Sequence, residues 1–332
     1  MKTRKEIILT FYERFFPDAP IGLIDIGASG GLNPNWGDFA DCLKIIAFEP
    51  DARAFQELRN KNNKKIKYYN TAIFSEKTTL NFYLNQKQQT SSFFPLNMNL
   101  IRSFPNSERF NLISITQMET DTLDNIIFQD TSIDVDFLKV DSEGCEYPIL
   151  TGAKNLLNNR LFGLEIEVLF AAIRPDAALF SEIDQYLRQK GFELFDIRRS
   201  YWKRSIGKDI GNDKGQLIFG DALYFKSIES FSDELSFEKD EVKKKEKVVK
   251  AISICIIYGY FDYALLLLDA FTTLFSKEEN KYLRTHLTQE VSFGRKIPDF
   301  RGRGRIAKLF YKIGQIVEHP SWAAADQTLG NL

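Results

Sequence analysis

Short apolar runs recur through the first two thirds of the chain, separated by segments whose apolar residues fall at helical spacing. This is the pattern of a parallel sheet covered by helices. Strands are predicted at 21–26, 43–48, 66–73, 134–141, 161–168, 192–197 and 216–225. Helices are predicted at 51–61, 121–129, 145–158 and 179–190, with Gly191 placed to end the last. Residues 74–120 are too long for a simple connection and predict a hairpin plus a loop over one rim. The stretch 228–250 is charge-rich and reads as a linker or the solvated start of a helix. Helical periodicity then returns over 248–275, 277–291 and 302–317. The expected organisation is an N-terminal helix within 1–19, an α/β domain over 20–227, a charged linker over 228–250 and a helical region over 251–332.

Composition narrows the class. The 332 residues are 44% hydrophobic and 27% charged, so a fibrous or wholly disordered chain is excluded. Lys plus Arg number 44 against 45 Asp plus Glu, a balance that gives no whole-chain signal for nucleic acid. Three scattered cysteines (Cys42, Cys145 and Cys255) fit no disulfide framework, and a cytoplasmic location is expected. The longest apolar stretch, 251–275, carries Asp262 and Asp269, so no transmembrane segment is predicted. Both histidines, His286 and His319, lie near the C-terminus, which leaves the α/β part without one.

Three constellations carry chemistry. Asp25-Ile26-Gly27-Ala28-Ser29-Gly30-Gly31 follows the first strand, and a glycine-rich turn lets backbone approach a ligand. Its spacing is not the GxGxxG of dinucleotide binding, and Asp25 favours a ligand with cationic or hydroxyl groups, such as S-adenosylmethionine. Glu49, in Phe48-Glu49-Pro50, ends the second strand 24 positions later, where a carboxylate can accept from both ribose hydroxyls. The third is Lys139-Val140-Asp141-Ser142-Glu143-Gly144-Cys145-Glu146, an apolar strand running into three acids. Such acids can position an acceptor, take its proton or hold a cation. Equally, Ser142, Glu143 and Glu146 suit the first turn of a helix.

Together these motifs resemble the FkbM family of S-adenosylmethionine-dependent methyltransferases over roughly residues 20–227. The family's DVGANxG is matched at 25–31, its FEP at Phe48-Glu49-Pro50, and its KxDxEGxE by Lys139, Asp141, Glu143, Gly144 and Glu146. Leu123-Asp124, Gly152-Ala153, Glu165 and Glu167 also fall in pattern, while Ser29 replaces the usual Asn. The resemblance implies a Rossmann-like methyltransferase fold with a mostly parallel seven-stranded sheet, helices on both faces and a small helical C-terminal region. It implies cofactor binding by Asp25, Gly27, Ala28, Ser29, Gly31 and Glu49. Methyl transfer to a hydroxyl of a sugar, glycan or related metabolite follows, where orientation contributes ~7–11 kcal/mol. Without histidine, the candidate bases are Asp141, Glu143, Glu165 and Glu167, alone or with a divalent cation.

Other features are weaker. Cys145 has no histidine partner and reads as a buried residue at a helix start; Tyr201-Trp202-Lys203-Arg204 reads as an aromatic, basic rim or as cover for a domain edge. The stretch 295–312 holds seven Lys or Arg against one Asp and would suit an acidic partner, or else a solvated turn before an amphipathic helix. The rival functions are N-methylation of an amino sugar and a non-catalytic adaptor that binds through the basic C-terminus. Two expectations follow: a bulky residue at Gly27 abolishes cofactor binding without unfolding the chain, and deletion of 228–332 leaves cofactor binding intact.

Overall fold

The computed structural model of the chain describes residues 2–28, 34–60, 65–129, 134–210, 214–288, 298–317 and 321–331. Among these residues eleven strands are formed: β1 (Ile21–Ile26), β2 (Leu43–Phe48), β3 (Ile66–Tyr69), β4 (Ala72–Ile73), β5 (Thr79–Asn85), β6 (Leu112–Asp121), β7 (Phe137–Val140), β8 (Gly163–Leu169), β9 (Phe192–Trp202), β10 (Gln216–Lys226) and β11 (Ala323–Ala325). Eight of them make one sheet in the order β11-β9-β10-β8-β7-β1-β2-β3. Strands β3, β2, β1, β7 and β8 pair in parallel, whereas β10 runs antiparallel to both of its neighbours. The chain winds outward from β1 to β3 and then returns to lay β7 on the other side of β1. The reversal creates a switch point between β1 and β7, where ligands bind at the carboxyl ends of the strands.

All seven expected strands lie in this sheet, and the α/β fold class is as expected. The eighth strand, β11, comes from the C-terminal tail and pairs Ala323–Ala325 with Trp202–Ser200. Three alanines carry no strand signal of their own; they are extended because β9 offers an open edge. The expected 66–73 strand divides, since Ala72–Ile73 leaves the main sheet to pair with β6. The insertion forms the expected hairpin, β5 against β6, and the long connection between these two strands is the loop over the rim.

Alternation along the strands loads the two faces differently. Ile24, Ile46, Leu138, Leu164 and Ile166 face the helices Leu123–Gln129, Glu146–Thr151, Lys154–Asn159 and Phe180–Gln189. Leu23, Ile45, Phe137, Leu223 and Phe225 face the opposite way. On that side the described residues of the β1-to-β2 connection supply two short turns of helix, Pro34–Gly37 and Ala40–Cys42, with Trp36, Phe39 and Cys42 buried. The remaining cover comes from the N-terminal helix Arg4–Phe15 and the C-terminal helices Glu241–Ile257, Phe261–Ala270 and Lys277–Thr288. Thr3 caps the first of these through a capping box with Glu6.

Of the two readings of 228–250, helix is the one found: Ile228–Ser236 and the first half of Glu241–Ile257, joined by the short connection 237–240. Its charges belong to an outer face and a solvated first turn, while Phe231, Leu235, Val248 and Val249 are buried. Tyr258 stacks on Phe137 at 5.5 Å and meets Trp36 at 6.0 Å, which joins the C-terminal layer to the middle of the sheet. A chain cut at 227 would expose this half of the core, so the deletion first expected to spare cofactor binding does not leave an intact domain.

Candidate active site

At the switch point a cleft of about 730 Å³ opens along the carboxyl edge of the sheet. Strand register arranges its charges in two rows on one face. Asp25, Lys139 and Glu165 are directly paired across β1, β7 and β8. One step nearer the rim, Glu167, Asp221 and Arg198 are paired across β8, β10 and β9. The face is the one covered by the C-terminal helices, and the tail that follows them supplies Gln327, Thr328 and Leu329 to the cleft wall.

In the first row, the Lys139 ammonium stands 3.3 Å from Asp25 Oδ1 and 3.5 Å from Asp141 Oδ2. Burial works against its charge, but Asp25, Asp141 and Glu165 outweigh that cost and hold it protonated. Asp25 is itself raised by burial, against the pull of Lys139. It does not line the cleft; it anchors the lysine from below. Glu165 accepts from the Tyr258 hydroxyl at 2.7 Å, and Trp36 Nε1 donates to that hydroxyl at 3.0 Å. Burial pushes Glu165 up to about 7, even with the Tyr258 hydrogen bond opposing the rise. In the second row, Glu167 is raised well above the usual carboxylate range by burial and then by Glu143, Asp141, Glu146 and Asp221. Asp221 is paired with Arg198 at 2.5 Å, yet burial still raises it.

The glycine-rich turn begins as expected. Gly27 has φ +86°, and a Cβ there would lie 1.8 Å from the Asp141 carbonyl oxygen. Substitution would thus force β1 and β7 apart and damage the fold as well as the site, contrary to the expectation that the chain would stay folded. Ala28 is buried beneath the turn beside Ala47 and Leu58. Ser29 and Gly31 lie outside the described residues. Glu49 is buried at the end of β2, lines the cleft, and receives the Asp51 backbone N–H on Oε1 at 2.9 Å. Burial, helped by the nearby charges of Asp51 and Asp25, pushes it up to about 7.

After β7 the backbone turns sharply: Glu143 has φ +56° and Gly144 φ +100°. A non-glycine residue in that region is strained by roughly 1–2 kcal/mol and persists only where surrounding contacts hold it. The contact here is Arg174, whose guanidinium is 3.2 Å from Glu143 Oε2 and donates to the backbone oxygens of Thr90 and Phe94 at 2.6 Å each. One buried side chain therefore ties the inserted loop to the acids of the strand end. Glu146 accepts from the Ser142 backbone N–H and hydroxyl, the structural part expected of it, and burial brings it up to about 7. Cys145 is buried against Ser92, and burial pushes its thiol up to about 12, which disfavours the thiolate that a nucleophile needs. Trp202 is packed among Phe104, Phe110, Phe219 and Trp322 and covers the edge of the insertion.

Three parts of the site had no signal in the motifs: Arg174, Tyr258 and the tail residues Gln327, Thr328 and Leu329, which line the cleft. The tail is held by the Asp326 N–H to Arg199 O at 2.9 Å, Gly330 N–H to Asp196 at 2.7 Å and Asn331 N–H to Tyr258 O at 2.9 Å. Among the described residues, no group of three or more His, Cys, Asp or Glu is placed to hold a metal ion. No helix among them is long and apolar enough to cross a membrane.

Comparison with known proteins supplies an independent view. The family described as methyltransferase FkbM domain matches residues 25–194, just over half of the chain. No curated protein sequence matches. Among solved structures, similarity extends to precorrin-6y C5,15-methyltransferase from Geobacter metallireducens, at 10% identity over 67% of this chain and 88% of that one, with a TM-score of 0.31. A TehB-like SAM-dependent methyltransferase from Corynebacterium glutamicum gives the same identity, coverage and score. A third is 1,6-didemethyltoxoflavin-N1-methyltransferase from Burkholderia thailandensis, at 12% identity over 68% and 78% of the two chains and a TM-score of 0.29. The fold assignment rests on the strand order itself.

Proposed function

The chain belongs to the methyltransferase FkbM domain family, and from that premise we propose that it uses S-adenosylmethionine to methylate a hydroxyl oxygen of a sugar, glycan or related metabolite. The supporting observation is the cleft's donor set. Glu49, Asp141, Glu143, Glu165, Glu167 and Asp221 line it, against Lys139 and Arg198. A wall so rich in carboxylates suits a ligand carrying ammonium and sulfonium charges far better than one carrying phosphates.

The fit extends to single atoms. Only Oε1 of Glu49 is engaged by a described residue, which leaves the other oxygen for a ribose hydroxyl. Gly27 brings bare backbone to the cleft that Glu49 also lines, and Ala28, Ser29 and Gly31 are the further cofactor contacts of this proposal. When bound, the cofactor supplies the methyl carbon as a sulfonium electrophile. The acceptor hydroxyl must lose its proton as it is methylated, and a base is most effective with a pKa near the working pH. Glu165 meets that condition, and Tyr258 and Trp36 fix its orientation. Glu167, whose protonated form is favoured by burial and by the carboxylates around it, would donate a hydrogen bond to the acceptor instead. Asp141 and Glu143 shape the rim where the acceptor enters. An amino-sugar acceptor is the second reading, favoured by the same acidic wall, which would attract its ammonium.

Calorimetric titration with S-adenosylhomocysteine tests the cofactor half of the proposal. Micromolar binding is expected, weakened at least about tenfold in Glu49→Gln, in line with the loss of a charge-assisted hydrogen bond. A folded protein that binds no S-adenosylhomocysteine would refute it. For the acceptor half, Glu165→Gln should lower turnover by ~10²–10⁴ on whichever glycan acceptor is found, with cofactor affinity unchanged. Full turnover in that variant would remove Glu165 as the base.

A further inference from the structure

We propose that the helix Arg303–Val317 is a membrane-surface anchor that lies flat on anionic lipid. Within it Ile306, Leu309, Phe310 and Ile313 recur at three- and four-residue steps and so share one stripe. None is covered by the body of the protein: they are 46%, 57%, 69% and 45% exposed. Four large apolar side chains aligned along one helix, outside every hydrophobic cluster of the described residues, make a contiguous patch of the kind that marks an interaction site. Arg305 and Lys308 fall on the flanks and back of that stripe, Arg301 and Arg303 precede it, and the sequence 300–317 holds no acidic residue.

Charge selects among possible occupants. A second copy of the helix laid against the stripe would bring cations against cations with no carboxylate to relieve them. Anionic headgroups pair with the flanking cations while the apolar stripe enters the acyl boundary, the arrangement of interfacial amphipathic helices. The mounting also suits such contact. Gly302, at φ +104°, and Gly304 and Gly314 have no described neighbour within 4 Å of where a Cβ would be, so these three positions face open space. Its last residue is six steps from Ala323 of β11, at most ~20 Å of chain, and β11 leads directly into the cleft-lining Gln327 and Thr328. Docking at this helix would hold the mouth of the cleft close to a lipid surface. The inference does not depend on which acceptor is methylated.

The test is co-sedimentation of the full chain with vesicles of phosphatidylcholine alone and of phosphatidylcholine mixed with phosphatidylglycerol. The protein should sediment with the mixed vesicles, and raised salt should weaken the association. Leu309→Asp with Phe310→Asp should abolish it. Arg305→Gln with Lys308→Gln should reduce partitioning roughly 30-fold, at about a fivefold factor for each cation near an anionic surface. Both double variants should keep the wild-type affinity for S-adenosylhomocysteine, which shows that they are folded. Absence of sedimentation with the mixed vesicles overturns the proposal. So does sedimentation that survives the Leu309 and Phe310 changes. A wild-type dimer that the same two changes convert to monomer, without vesicle binding, would assign the stripe to a second copy; binding to a uridine oligonucleotide without vesicle binding would assign the cations to RNA.

Discussion

Two buried lysine–aspartate pairs occupy opposite ends of the same strands. At the carboxyl end, Lys139 meets Asp25 at 3.3 Å; at the amino end, Lys250 meets Asp136 at 3.2 Å. Both aspartates are pushed up by burial and pulled down by their lysine. Their surroundings differ. Asp136 also takes the Gly22 N–H at 2.8 Å, and its lysine, 2% exposed, reaches across from the C-terminal helix Glu241–Ile257. That pair clasps β1, the entry to β7 and the helical layer together. Lys139 is shared with Asp141 and, through space, with Glu165, and it borders an open cleft. The same two residue types act as a clasp where their hydrogen-bonding capacity is closed off. They act as part of a binding surface where it is left open, so pairing chemistry alone does not mark a functional site.

Substitution at the two lysines separates the roles. Lys250→Met leaves a buried carboxylate without its cation, and loss of roughly 3–5 kcal/mol of stability is expected from denaturant unfolding. Lys139→Met should cost less, about 1–3 kcal/mol, because cleft water can solvate Asp25 and Asp141, while cofactor affinity drops sharply. Equal stability losses with equal binding would erase the distinction.

A second contrast follows from pH. Glu49, Glu146 and Glu165 are each near 7 in the folded chain against about 4.5 when exposed. Their protonated forms are favoured by folding, so the stabilisation is complete below about 4.5 and is lost as pH rises through about 7. The ligand-free protein should therefore show a falling melting temperature from pH 5 to pH 7.5, and S-adenosylhomocysteine should alter that fall. A rising melting temperature over that interval would contradict the burial of these acids. The smallest effect is at Tyr258→Phe, which removes the hydrogen bond that lowers Glu165. About 1 kcal/mol of stability should be lost, and the alkaline-rising limb of the activity profile should move to higher pH.

Much of the sheet was legible because its strands are buried on both faces and read as unbroken apolar runs. Asp25, Gly27, Glu49 and Asp141 were legible because each terminates such a run, where local sequence and site geometry coincide. Arg174 and Tyr258 were not, since their roles come from contacts 31 to 93 positions away in sequence, to Glu143, Thr90, Phe94 and Glu165. The helical C-terminal region was legible, but the choice between linker and helix start over 228–250 was not, for a related reason. Charges in the first turns of Glu241–Ile257 dominate a local window, whereas the bare sheet face that recruits its second half is apparent only once the strands are assembled.

The Trp36–Tyr258–Glu165 chain of hydrogen bonds has an optical consequence. Of the three tryptophans, Trp202 and Trp322 pack against each other 5.9 Å apart, away from this chain. Trp36 alone is wired to a titrating wall of the cleft, in a fully dry setting. Its indole emission becomes a built-in reporter. Proton loss at Glu165 or arrival of a cation beside it changes the field along that hydrogen bond, so the colour and yield of Trp36 fluorescence track occupancy of the cleft without any added label.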